Sequence, residues 1–306
     1  MQGKTANPLT LSLSLVFAVV LWGGNNTGTK FLVSSWPPVW TGGTRFFLAG
    51  LIMLGLLRWT SWFGTRQGAL TPEVSRRLWT RGGLSLATYI VVFNLALRYT
   101  SASHVALYLG AAPVWALLWE HPPGLNWPSL RKYGAAALAL LGVFILFWPS
   151  LHATTNSILG EVLGLSASVL WTNYGRQCRS LGQNLGGAEV SAHTMWRAGL
   201  ILLPIGLWEA ATRGIVWRWD LVTVQGYCIL AGGVAAFGIW SHALRRWPTS
   251  QVYLFNNLIP LSTMTWAHFW LREKVTPTFW LAMVLVIAGV LIGQNAWTLF
   301  RREVQA

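Results

Sequence analysis

The sequence predicts an all-α integral membrane protein with ten transmembrane helices, arranged as two inverted five-helix repeats. Three observations lead to this fold class: a shortage of charged residues, a series of long apolar runs, and an internal repeat. Of the 306 residues, 54% are hydrophobic and only 10% are charged, whereas soluble globular domains carry about 25% charged residues. The composition therefore excludes a soluble enzyme, a disordered chain and a disulfide scaffold.

Ten apolar runs follow one another along the chain, and a spanning helix needs about 20 mostly apolar residues. Prolines close two of the runs, at 121–124 and at Pro149, because proline cannot continue a helix. A basic loop separates the second run from the third. The predicted spans are 9–29, 39–57, 83–97, 101–119, 133–148, 158–177, 190–208, 222–243, 250–271 and 276–297.

The Lys and Arg residues predict the orientation of the spans. Fourteen of the 22 lie at one set of span ends and six at the other, while Arg45 and Arg197 lie inside spans. Because the side richer in Lys and Arg is cytoplasmic, both termini are predicted to be cytoplasmic. The net charge of +14 thus reflects topology and contact with anionic membrane lipids, and no nucleic-acid partner is expected.

An internal repeat pairs residues 1–150 with residues 151–306. Each half holds five predicted spans, an odd number, so the second copy lies upside down relative to the first. Inverted repeats are typical of secondary transporters, whose substrate site lies between the halves near the middle of the membrane. Repeat partners include Trp22 with Trp171, Arg45 with Arg197, 96–98 with 243–245, Pro113 with Pro260, and 142–143 with 289–290.

The same segments resemble a known family. The runs 21–25 (LWGGN), 44–50 (TRFFLAG) and 96–113, and the stretch from Pro260 through 288–290, resemble EamA repeats of the drug/metabolite transporter superfamily. Within it, the chain is most similar to the bacterial aromatic amino acid exporter branch. The resemblance implies a central cavity, residence in the bacterial inner membrane, and export of small metabolites by alternating access. One departure is that the acidic-basic pair at 272–274 (REK) has no counterpart at 125–127 (LNW).

Polar side chains inside spans are the candidates for a substrate pathway, because polar groups at membrane depth are costly. Arg45 and Arg197 either hold a substrate carboxylate or are structural, and their positions near span ends favour the structural role. Trp22 and Trp171 could stack on substrate side chains. The other predicted pathway residues are Asn25, Asn26, Tyr89, Asn94, Tyr99, His104, Tyr108, Asn173, Tyr174, Asn256 and Asn257.

Two further pairs have open roles. Pro113 and Pro260 kink paired helices, and these kinks could be hinges for alternating access or static packing features. His104 and Glu161 could carry a proton if transport is proton-coupled. Both lie near a predicted membrane interface, which favours a solvated position at a helix end.

Several absences narrow the function. The sequence has no G-x-x-x-x-G-K-[ST] loop, so ATP is not the direct energy source, and it has neither an H-E-x-x-H nor a G-x-S-x-G motif. We therefore expect no catalysis, no cofactor and no metal. The leading prediction is a monomeric secondary exporter of amino acids. The alternatives are a broad drug/metabolite or nucleobase exporter of the same fold and, in a different class, an intramembrane enzyme.

Overall fold

The computed structural model describes residues 8–61, 70–120, 127–149, 155–182, 185–244, 246–247, 252 and 255–293. Every regular element among them is helical, and the helices form ten segments, which we number α1 to α10. These are α1 (Pro8–Ser35), α2 (Pro38–Trp59), α3 (Pro72–Tyr99), α4 (Ala102–Gly110 and Ala112–Glu120), α5 (Trp127–Phe147), α6 (Thr155–Leu181), α7 (Gly187–Arg213), α8 (Trp219–Leu244), α9 (Phe255–Leu258 and Ile259–Leu271) and α10 (Pro277–Gly293).

Among the described residues, five helical stretches are long and apolar enough to cross a membrane. They are Leu9–Ser35, Pro38–Trp59, Pro72–Tyr99, Ser129–Phe147 and Trp219–Ala243, and α10 is a shorter apolar helix. Large apolar side chains point outward, among them Leu13 (60% exposed), Phe17 (55%) and Val284 (60%). Lipid tails cover such a surface, whereas water would not favour it. The chain is therefore an all-helical membrane protein.

Helix α3 begins earlier than the sequence analysis expected, at Pro72 rather than near 83. The segment 71–77 was assigned to a basic loop, but it carries the signals of a helix start. The Thr71 side chain accepts a hydrogen bond from the Val74 amide, Pro72 is the first helical residue, and Glu73 lies in the first turn. Each of these groups stabilises a helix N-terminus, so the helix extends into the loop.

Two helices contain a π-helical turn that the sequence analysis did not predict. The turns are Leu78–Gly83 in α3 and Cys228–Ala235 in α8. Both contain a Gly-Gly pair, at 82–83 and at 232–233. A π turn leaves backbone carbonyls with weaker partners within the helix and occurs often at functional sites.

Helices α2 and α7 cross in antiparallel orientation through glycines. Gly50 lies against the backbone of Trp196, Gly199 lies against the backbone of Phe47, and Gly206 lies against Trp40. A Cβ atom at Gly50 or Gly199 would overlap the facing main chain. Small residues thus allow close contact between helix backbones, as is common in membrane bundles.

Helices α5 and α10 pack through a reciprocal pair of glycine contacts. A Cβ atom at Gly142 would lie 2.7 Å from the Ala282 carbonyl oxygen, and one at Gly289 would lie 2.5 Å from that of Ala135. Gly142 precedes Gly289 by 147 residues, and Ala135 precedes Ala282 by the same number. Each contact is therefore the counterpart of the other under the sequence repeat.

Two helix N-termini are capped by carboxylates from distant helices. Glu209 at the end of α7 accepts hydrogen bonds from the Val39 and Trp40 amides of α2, at 2.9 and 3.3 Å. Glu273, which follows α9, accepts from the amides of Ala102 and Ser103 at the start of α4, at 2.8 and 3.2 Å. These contacts bring the ends of α1, α3, α7 and α9 together at one end of the bundle, which we call the α1–α2 face.

Candidate functional site

Arg45 on α2 carries a buried positive charge among α1, α2 and α8. The residue is 3% exposed. Its Nη1 donates a hydrogen bond to the Thr29 hydroxyl and points toward Asn25 Oδ1 at 3.5 Å, and the Cys228 thiol also contacts it. All these partners are neutral, and no carboxylate in the described part of the chain forms an ion pair with Arg45. A buried guanidinium in neutral surroundings is a candidate site for an anionic group.

Aromatic rings adjoin this cation. Tyr89 on α3 lies near Arg45, and its ring packs against Trp171 with centroids 5.0 Å apart. Trp171 is partly exposed and contacts Tyr174, which is buried, at 5.5 Å. We call Asn25, Thr29, Arg45, Tyr89, Trp171 and Tyr174 the Arg45 cluster. A cation at one end and aromatic rings at the other match a small molecule that has both a carboxylate and an apolar part.

Trp22, the repeat partner of Trp171, has a different environment. Its indole N–H donates to the Gly232 carbonyl at 3.1 Å, within the π turn of α8. Its ring packs against Phe237 and Trp240, with centroids 5.3 and 5.1 Å apart. The hydrogen bond supplies a partner for a carbonyl of the π turn, so Trp22 ties α1 to α8 through its polar atom as well as its ring.

Arg197, the repeat partner of Arg45, lies among aromatic rings and is 2% exposed. Its guanidinium carbon is 4.3 Å from the Trp196 ring centroid and 5.3 Å from that of Trp79. Its Nη1 lies 3.0 Å from His193 Nδ1, and its Nη2 donates to the Ser75 hydroxyl at 3.3 Å. The two rings also contact each other, with centroids 5.4 Å apart, and this packing favours a structural role for Arg197 in joining α7 to α3.

Six other predicted pathway residues lie at helix contacts or helix ends. Their described hydrogen bonds join helices: Asn26 donates to Thr263 Oγ1 at 3.1 Å, Asn94 to the Pro38 carbonyl at 2.8 Å, and Asn173 to Ser85 Oγ at 3.0 Å. Tyr99 ends α3 and is 37% exposed. Asn256 and Asn257 lie in the 3₁₀ turn of α9. None of these described hydrogen bonds reaches the Arg45 cluster.

His104, Tyr108 and Glu161 meet between α4 and α6. Glu161 Oε1 accepts a hydrogen bond from the Thr100 hydroxyl at 2.6 Å and lies 2.8 Å from His104 Nδ1. The Tyr108 hydroxyl donates to Oε2 at 2.5 Å. Glu161 is 1% exposed. The solvated position expected for Glu161 is therefore wrong, because side chains of α4 and the end of α3 enclose the carboxylate.

The two predicted kinks occur as breaks in helices. In α4 the helix is interrupted at Ala111, two residues before Pro113, whose side chain lies outside the described residues. In α9 the 3₁₀ turn ends at Leu258, two residues before Pro260. Helix α6 binds the break in α4, since the Ser168 hydroxyl donates to the Tyr108 carbonyl at 2.6 Å and the Thr172 hydroxyl to that of Ala112 at 3.2 Å.

The profile of the EamA-like transporter family matches residues 10–148 and again residues 158–292. The chain belongs to the EamA-like transporter family. The resemblance identified in the sequence is thus confirmed. Membership identifies a transporter that resides in a membrane and moves a small-molecule substrate.

Two curated relatives of this EamA-like transporter match 91% of its length, and a third matches 72%. An "Uncharacterized transporter" of Archaeoglobus fulgidus is 25% identical over 91% of this chain and 95% of its own. A "Probable amino-acid metabolite efflux pump" of Escherichia coli is 24% identical over 91% and 92%. A "Probable terminal-alkyne amino-acid exporter" of Streptantibioticus cattleyicolor is 25% identical over 72% and 73%.

A solved crystal structure shares the fold of this EamA-like transporter. The TM-score is 0.62 at 18% sequence identity, and the match covers 98% of this chain and 100% of the other. At this identity the likeness concerns the fold alone.

Sequence reasoning missed several residues that surround the sites of this EamA-like transporter. Thr29 and Cys228 contact Arg45, but a lone hydroxyl and a lone thiol in apolar runs give no signal of their own. Glu209 and Glu273 cap helices far away in sequence. The sequence did indicate that an acceptor such as Glu209 is needed. Pro37 at the start of α2 offers no side-chain cap, and the free amides at that helix start require an acceptor from elsewhere.

Proposed function

We propose that this EamA-like transporter exports amino acids, neutral and aromatic ones among them, from the cytoplasm by alternating access. The observation that carries the proposal is the Arg45 cluster. A guanidinium can bind a substrate carboxylate through paired, charge-assisted hydrogen bonds. The adjoining rings of Tyr89 and Trp171 can contact an apolar side chain.

The relatives give independent support for this substrate class. Two are named for amino-acid metabolites or a terminal-alkyne amino acid, and both names describe efflux or export. An amino acid combines the carboxylate and the side chain that the two ends of the Arg45 cluster would contact. Trp171 is partly exposed, so its ring is not fully enclosed by the protein.

Alternating access in this proposal rests on two inverted five-helix repeats, residues 1–150 and 151–306. Their support is the double match of the family profile, the reciprocal glycine contacts of α5 and α10, and the paired π turns of α3 and α8. The breaks next to Pro113 and Pro260 would serve as hinges, since breaks in paired helices let one part of a bundle move against the rest. The substrate would lie between the repeats.

The proposed location is the bacterial inner membrane, with both termini in the cytoplasm. The bias of Lys and Arg toward one set of span ends supports this orientation. The α1–α2 face would then be the outer face.

Uptake into proteoliposomes tests the substrate class. The panel would hold radiolabelled phenylalanine, leucine and alanine, together with uracil as a nucleobase. We expect saturable flux of the amino acids that unlabelled phenylalanine inhibits. Saturable flux of uracil without any amino-acid flux would contradict the assignment and favour the nucleobase alternative.

Arg45→Gln tests how the substrate is held. Loss of a charged hydrogen bond costs about 1.5–3 kcal/mol, so phenylalanine should bind about 10-fold to 100-fold more weakly. Inhibition by phenylalaninamide, which lacks the carboxylate, should change little. The matched control is Arg197→Gln, which should lower thermal stability without altering the preference for acid over amide. An equal loss of both ligands in Arg45→Gln would assign Arg45 a packing role.

A further inference from the structure

Glu161 is a buried carboxylate whose hydrogen-bond partners come from neighbouring helices. Its Oε1 contacts Thr100 and His104, and its Oε2 contacts Tyr108, at distances of 2.5–2.8 Å. The hydroxyls of Thr100 and Tyr108 act as donors to the ionised form. A protonated carboxyl would itself become a donor and would accept fewer hydrogen bonds. Gain of a proton therefore changes the contact of α6 with α4 and the end of α3.

His104 lies between the buried Glu161 carboxylate and the exterior of the helix bundle. The side chain of His104 is 26% exposed, compared with 2% for that of Glu161. Phe279 of α10 stacks on the imidazole, with ring centroids 6.3 Å apart. Either ring nitrogen of an imidazole can bind a proton, and Nδ1 of His104 faces Oε1 of Glu161. A proton that reaches His104 can thus be shared with Glu161.

The neighbouring charged groups are bound elsewhere. Lys30 of α1 donates to the Thr100 carbonyl at 2.8 Å, and Glu273 holds the amides at the start of α4. Arg98, at the end of α3, is exposed. Tyr108 donates to Glu161 itself, and α6 carries no other ionisable residue between 157 and 165. Among the described neighbours, His104 is therefore the group suited to exchange a proton with Glu161.

We propose that Glu161 and His104 form a proton-binding site that couples substrate export to proton entry. The pair would take up one proton from the aqueous phase at the α1–α2 face and release it on the opposite side after the transporter changes state. The energy available to the substrate would come from the difference in proton concentration. This inference rests on the proposed function as an amino-acid exporter.

Proteoliposomes test the coupling in two modes. In the first, a pH gradient drives labelled phenylalanine uphill; in the second, labelled and unlabelled phenylalanine exchange with no gradient. For one proton per substrate, wild-type accumulation should rise by up to about tenfold for each imposed pH unit. Glu161→Gln and His104→Gln should retain exchange but lose gradient-driven accumulation. Glu73→Gln, a control at an exposed carboxylate, should behave like the wild type.

An infrared titration reads the proton site without any substrate. Acidification of the purified protein should produce a carbonyl band of a buried protonated carboxyl, absent in Glu161→Gln, shifted in His104→Gln and unchanged in Glu73→Gln. If Glu161→Gln does not fold, the shift of the band in His104→Gln tests the proton site instead. The His104 side chain is partly exposed, so its replacement disturbs the fold less.

The outcomes separate this inference from the proposed function. Flux without a pH response in the wild type overturns the coupling and leaves the exporter assignment standing. Absence of amino-acid flux contradicts the exporter assignment and the coupling with it. An infrared band that persists in Glu161→Gln overturns the site. Loss of the infrared band in Glu161→Gln supports the proposal if this variant also exchanges phenylalanine without gradient-driven accumulation.

Discussion

Residue pairs related by the sequence repeat have different environments in this protein. Arg45 contacts a hydroxyl, an amide, a thiol and the Phe46 ring, whereas Arg197 contacts two indole rings, His193 and Ser75. Side chains of one type therefore have different hydrogen-bond partners and ring contacts at the two positions. The sequence showed the equivalence of these positions, but the surroundings that distinguish them come from other helices.

The tryptophans give a test at this scale. Trp171→Ala removes the ring beside Tyr89 and should weaken the binding of phenylalanine about twofold to tenfold relative to that of alanine, because an aromatic contact contributes about 0.5–1.5 kcal/mol beyond its buried area. Uptake in the presence of competing phenylalanine or alanine measures the ratio of their affinities. Trp22→Ala should lower thermal stability with no change in that ratio, since the Trp22 indole binds α8. A loss of discrimination in Trp22→Ala alone would reverse these assignments.

At the scale of helices, close contact depends on glycines whose importance the sequence does not reveal. Gly199 and Gly50 face the backbone of the crossing helix, whereas Gly175 in α6 has open space where a Cβ would lie. All three glycines lie within helices. Only the crossing of α2 and α7 makes two of them indispensable.

Alanine at these glycines should separate the two cases. Gly199→Ala forces α2 and α7 apart, and overpacking of this kind costs about 1–3 kcal/mol. Gly175→Ala should be neutral or stabilising by up to about 1 kcal/mol, because alanine favours a helix. Thermal unfolding in detergent, followed by circular dichroism, compares the variants. Equal stability of Gly199→Ala and Gly175→Ala would show that the crossing is not close-packed.

At the scale of the whole molecule, polar contacts between distant segments join helix ends at the α1–α2 face. Glu209 joins the end of α7 to the start of α2, Glu273 joins the end of α9 to α4, and Lys30 joins α1 to the Thr100 carbonyl. The acidic-basic segment at 272–274 has a structural role here, since Arg272 adopts a left-handed conformation (φ 58°) and Glu273 caps α4. The proposed export cycle must break these contacts to open this face.

Labelling of single cysteines tests the proposed inverted topology. In a variant whose Cys178 and Cys228 are replaced by alanine, the repeat partners Arg98 and Arg245 would each be changed to cysteine in turn. A membrane-impermeant maleimide applied to intact cells should label Arg98→Cys, predicted outside, and should label Arg245→Cys only after the membrane is opened. Labelling of both from the same side would refute the inverted repeat.

The sequence alone determined the compartment, the helical class and the family. Too few charges and too many long apolar runs leave only a membrane, and the residues of runs such as 44–50 resemble EamA repeats. These properties are encoded along one stretch of chain at a time, so composition indicates the membrane and the resemblance of local motifs indicates the family. The extension of α3 to Pro72 could also be predicted from the sequence, because Thr71, Pro72 and Glu73 are local helix-start signals.

The tertiary structure decided which polar residues act together. Glu161 is near a span end in sequence, yet its burial depends on Thr100, His104 and Tyr108 from segments more than fifty residues away. The π turns, the glycine crossings and the surroundings of Arg45 likewise depend on which helix lies opposite. Hydrophobic patterning places each helix in the membrane, but lipid and protein are equally apolar partners for such a helix. Only the packing of one helix against another therefore determines which polar groups meet.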